Sequence, residues 1–213
     1  MNEKPMTVVG IDVGGRKKGF HVVALCSGSY QGHYSSRDAV EIFDWCQSLK
    51  ACAVGVDAPC RWSSAGRSRF VERELLGRGI GCFSTPTKAR ALEHGGNYFG
   101  WIFCGMEIYR AFARCYKLFS GAEGPRVGKI IFETFPHAIS CALAGEIVSA
   151  KKKRAVRRSL LAKCRIDTGK LANTDYVDAA LCAVTAVSLL RRDVETLGDI
   201  REGLIVIPKR PIV

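Results

Sequence analysis

The chain has 213 residues, 47% of them hydrophobic, and Lys and Arg outnumber Asp and Glu by 32 to 20. That length and composition predict one folded domain with a real core and exclude a disordered or collagen-like chain. The net charge of +12 favours an anionic partner such as nucleic acid, and the N-terminal MNEKPMTVVGID has no secretory pattern.

Residues 6–13 (MTVVGIDV) and 19–26 (GFHVVALC) read as two strands joined by the basic turn GRKKG, and 29–35 as a short third strand at an edge. Residues 37–50 show near-helical apolar spacing, with Ser36 as a plausible N-cap. A further strand is expected at 52–57 (CAVGVD). From about 60 to 126 the pattern changes, and a largely helical insertion is expected there, with helices near 68–77 and 102–119. KIIFETFP (129–136) reads as a strand, 137–148 and 151–165 as helices, 174–192 as a strong helix capped by Thr174, and 203–208 as a last strand. No window is apolar over the roughly 18 residues that a membrane span needs. A cytoplasmic protein with no membrane partner is therefore expected.

Ten cysteines occur with no CxxC pair, and the four histidines are scattered. Reduced, buried thiols are expected, with no structural zinc site and no histidine ligand cluster.

Three apolar strands end in an acid: VVGID at Asp12, AVGVD at Asp57 and KIIFE at Glu133. In open α/β sheets ligands sit at the C-terminal ends of strands. Carboxylates brought together repel, and a divalent cation with hard oxygen preference relieves this. On the last helix Asp175 and Asp178 lie three apart, on one face, and Asp178 opens a continuous apolar run.

The order of these segments resembles the RNase H-like superfamily, and in particular the domain of unknown function 429 family of predicted nucleases. The likeness rests on GIDVGGRKKGFHVV, VGVDAP, RFVERELLGRG, FETFP, DYVDAALCAVTA and EGLIVIP, which cover most of the chain. DYVDAA also looks like the last catalytic helix of RuvC-type resolvases. The resemblance implies a single domain over 1–213, with a mixed five-stranded sheet flanked by helices and the helical insertion. It implies a nuclease hydrolysing DNA or RNA with two Mg2+ or Mn2+ ions. Asp12 would bridge the ions, Asp57 would bind one, and Asp178, or the Asp175/Asp178 pair, would complete the site. Glu133 would be a further catalytic acid or an outer group. Phosphates would be positioned by Lys17, Lys18, Arg73 and the cluster Lys151, Lys152, Lys153, Arg154, Arg157 and Arg158. The competing reading is a non-catalytic nucleic-acid-binding module on the same fold. A sugar-kinase-like phosphotransferase ranks third. It needs a second phosphate loop, and Asp167-Thr168-Gly169 has too little chain behind it.

Overall fold

The structure, a computed structural model, describes residues 5–121, 128–149, 151 and 153–209. Strands β1 (Thr7–Val13), β2 (Phe20–Cys26) and β3 (Ser29–Ser36) form an antiparallel meander, as the sequence predicts. The second hairpin turns on Ser27 and Gly28, both at positive φ, which matches the right-handed twist of its strands. Helix α1 (Ala39–Ser48) is capped by Asp38, whose carboxylate accepts from the Val40 N–H at 2.8 Å, rather than by Ser36. Ser36 instead accepts from the Asp38 N–H and donates to Glu41, bracing the turn one step earlier. Strand β4 (Ala53–Asp57) then runs parallel to β1.

Between β4 and the next long strand lie α2 (Phe70–Gly77), α3 (Lys88–Glu93), α4 (Gly100–Phe112) and the short β5 (Tyr116–Leu118). The helix expected at 102–119 thus stops at Phe112. Its last residues pair with β6 (Lys129–Glu133) instead, and the buried Tyr116 donates its hydroxyl to the Ala51 carbonyl. Helix α5 (Pro136–Ala144) starts on proline and ends at Gly145 in the left-handed region, a few residues short of its expected end. Helices α6 (Lys153–Lys163) and α7 (Thr174–Leu190) follow, the latter capped by Asn173 rather than Thr174. The chain closes on an antiparallel pair, β7 (Val194–Asp199) and β8 (Gly203–Pro208).

All eight strands share one mixed sheet, in the order β3-β2-β1-β4-β6-β8-β7. Strand β5 lies beside the first half of β6, and β8 beside its end. This replaces the expected five strands by eight. Six of the eight fall on strands read from the sequence, with β8 on the strand expected at 203–208; β5 and β7 are the additions, and Glu195 and Asp199 disguise β7 in the sequence. One sheet face is covered by α5, α6 and α7, the other by α1 and α4. Every residue of α7 from Val177 to Ala186 is buried. Among the described residues no helix is long and apolar enough to cross a membrane.

Helix α7 sits directly on the sheet because the sheet has no side chain beneath it there. Gly10 and Gly55 face one another in register on β1 and β4. A Cβ on Gly10 would lie 1.9 Å from the Ala179 carbonyl oxygen, and one on Gly55 would lie 2.7 Å from that of Cys182. Two residues on, along the same face, come Asp12 and Asp57. The glycines therefore set how closely the acids of α7 approach the acids of the sheet.

Candidate metal centre at the strand ends

Asp12 and Asp57 are a register pair at the ends of adjacent parallel strands. Both line a cleft of about 530 Å3 together with Asp175 and Asp178 of α7. Burial, and then the charges of Asp178 and Asp175, push the Asp12 carboxyl up to about 8. Burial raises Asp57 well above the usual carboxylate range, with Asp12 and Asp178 adding to it. Burial also raises Asp178, although the Arg157 guanidinium pairs with it. Asp175 receives the Lys18 ammonium at 3.0 Å on both oxygens. So the four aspartates expected from the sequence line one cleft, and two basic side chains only partly offset them.

His21 is an addition that the sequence did not single out. It pairs with Asp12 across β1 and β2, and its Nε2 is 4.0 Å from Asp175. One ligand atom each from Asp12, His21 and Asp175 fall within 4.8 Å of one another. The pattern that could have found it is positional: the hairpin turn returns His21 to the level of Asp12. The carboxylate-rich donor set, with one imidazole, fits Mg2+ or Mn2+.

Glu133 is placed differently. It pairs in register with Val56, one step out of phase with Asp57. Its carboxylate is gripped at both oxygens by the buried Arg69, at 2.6 and 2.8 Å, and also accepts from the Cys60 N–H at 2.8 Å. Arg69 also donates to Glu72, whose second oxygen accepts from the Arg69 and Thr85 N–H groups. Glu133 reaches the cleft wall as part of this network.

The basic residues divide likewise. Lys18, Lys153 and Arg157 line the cleft. Lys17, Lys151 and Arg154 are exposed. Arg158 ties α6 to the backbone of Thr168 and Leu171, and Arg73 donates to the Ser68 carbonyl. Lys152 lies outside the described residues.

Glu202, in the β7–β8 turn, holds the loop that leads into α2. It accepts from the N–H groups of Ser64 and Phe70, both at 2.7 Å, and from the hydroxyls of Ser63 and Ser64. The Ser64 hydroxyl first, then the backbone donors, lower its carboxyl to about 2. A carboxylate depressed in the folded state stabilises above its unfolded value, and that stabilisation is lost as pH falls through the folded one. Glu202→Gln is therefore expected to cost about 1–3 kcal/mol near neutral pH. In denaturant melts the gap between the two proteins should close between pH 4.5 and about 2. A gap that did not change with pH would show that charge plays no part.

The family described as Protein of unknown function (DUF429) matches residues 10–201. No curated protein and no solved structure matches the chain. The family match runs from Gly10 through both strand-end aspartates and the whole of α7, and the chain belongs to the DUF429 family.

Proposed function

We propose that the protein is a divalent-metal-dependent nuclease on an RNase H-like domain, with the helices between β4 and β6 as an insertion. The observation that carries this reading is the register pair Asp12 and Asp57 beneath Asp175 and Asp178 in one cleft. The strand order β3-β2-β1-β4-β6, antiparallel and then parallel, supports the fold part. Burial first, and then the neighbouring aspartates, raise the carboxyls of Asp12 and Asp57, so a cation placed among them would favour their ionised forms.

Asp12 and Asp175, with His21, would hold the cation, and Asp57 and Asp178 would add carboxylates from the same cleft. Bound there, it supplies the charge that activates water and stabilises the leaving oxygen of a phosphodiester. The chain's own residues bind and orient. Lys18 and Lys153 face the cleft and offer cationic contacts to a phosphate backbone. Arg157 and Lys18 meanwhile hold the charges of Asp178 and Asp175. The Arg157 pairing favours a second reading, a nucleic-acid-binding module without catalysis, because it already gives Asp178 a cation.

The test is thermal unfolding with and without Mn2+, for the parent chain and for Asp12→Asn. At ten times its Kd a ligand stabilises by about 1.4 kcal/mol, a rise of roughly 3–6 °C at this size. The parent should show that rise. Asp12→Asn should lose it, start from a higher midpoint in metal-free buffer because one repelling charge is gone, and cleave no nucleic acid. No shift in either protein would favour the binding module. Full cleavage by Asp12→Asn would overturn the site.

A further inference from the structure

The cleft that holds the carboxylates has a second kind of wall. Phe83, Tyr98 and Trp101, from the segment between β4 and β6, line it as well. Phe83 is 67% exposed and Tyr98 57%, although rings of this size are normally covered. Phe83 and Trp101 lie with ring centroids 6.1 Å apart. Phe83 and Tyr98 also line a second, open hollow of about 820 Å3, so the two hollows meet at an aromatic ridge. That second hollow carries Arg67 and Arg90, both exposed and without an ion-pair partner among the described residues, against the single carboxylate of Glu93.

A ligand following this path meets acids with Lys18 and Lys153, then exposed rings, then the guanidinium groups of Arg67 and Arg90 with Glu93 on the same hollow. Alternating cations and ring faces suit a polyanion whose bases are turned outward. A duplex keeps its bases stacked inside and offers no ring faces to such a ridge. A basic chain of net charge +12 matches the same ligand. We propose that the aromatic ridge and the Arg67/Arg90 hollow form a binding track for unpaired nucleic acid, which stacks bases on Phe83 and Tyr98 and delivers a phosphate to the carboxylate cleft. This deepens the nuclease reading. It rests on that reading for the fate of the strand, but not for the binding itself.

The experiment is fluorescence anisotropy in EDTA, so that no cleavage is needed. The probes are labelled oligothymidylate and oligouridylate of about twelve nucleotides, a single-strand site size, and a blunt DNA duplex of the same length. The expected result is tighter binding of at least one single strand than of the duplex. Phe83→Ala/Tyr98→Ala should weaken single-strand binding by about tenfold or more, at an unchanged melting temperature because both rings are exposed. Arg67→Ser and Arg90→Ser should each reduce the salt slope by about 0.7. Duplex binding as tight as the better single strand would overturn the proposal. So would an aromatic double variant within twofold of the parent, and so would no binding of any probe, which would leave the ridge to a protein partner. Aromatic-dependent binding without any Mn2+-dependent cleavage would sustain the track and refute only the nuclease. Cleavage that ignores the aromatic pair would do the reverse.

Discussion

Gly10→Ala is expected to destabilise the protein by about 4 kcal/mol, near the upper end for a single added methyl, and to remove its response to Mn2+. The new Cβ would lie 1.9 Å from the Ala179 carbonyl oxygen and 2.3 Å from the Ala183 nitrogen. Both are backbone atoms of a helix buried on all sides, so no side chain can swing away. Either α7 lifts or β1 is pushed out of the sheet. Lifting α7 separates Asp175 and Asp178 from Asp12 and Asp57, which is why stability and cation response should fall together. Gly15→Ala is the control: its methyl meets nothing within 4 Å, and a change within about 0.5 kcal/mol is expected. Denaturant unfolding of the two variants checks both values. A Gly10→Ala chain within about 1 kcal/mol of the parent would mean that the helix is not seated as described.

The same glycines show what was legible in the sequence. The strand-end acids could be read because each closes an apolar run, and strand ends are where a sheet meets its ligand. The late helix could be read from its unbroken apolar stretch behind Asp178. That Gly10 and Gly55 precede Asp12 and Asp57 by the same two residues is visible in GID and GVD, but its meaning needs the partner that packs there. The partner is the Ala179-Cys182-Ala183 surface of α7, more than a hundred residues away. His21 stayed hidden for the same reason, because only the β1–β2 register brings it to Asp12. Strands β5 and β7 escaped because three residues beside a long helix, and a strand carrying Glu195 and Asp199, lack clean alternation. Tyr98, Phe99 and Trp101 lie in the insertion expected at about 60–126, outside the helices read within it. Periodicity does not show that two of these rings reach the same cleft as the acids.

Glu133 shared the sequence signature of Asp12 and Asp57, and the structure separates it from them through one residue, Arg69. The Arg69 side chain is 2% exposed and is the only cation bonded to either Glu72 or Glu133 among the described residues. Arg69→Met is expected to cost about 3–5 kcal/mol, because it strands two buried carboxylates rather than because the ion pairs are strong. The loss should be smaller than additive in the double variant Arg69→Met/Glu133→Gln, with a coupling of about 2–3 kcal/mol in a denaturant double-mutant cycle. Glu133→Gln alone should lower stability yet keep the Mn2+ shift that Asp12→Asn loses, since the Glu133 carboxylate is already committed to Arg69 and to the Cys60 N–H. If Glu133→Gln instead abolished the shift at unchanged stability, Glu133 would belong with the cation ligands. In that case Arg69 would have to release it when the cation binds. The pair therefore decides whether the third strand-end acid anchors the wall of the cleft or joins its chemistry.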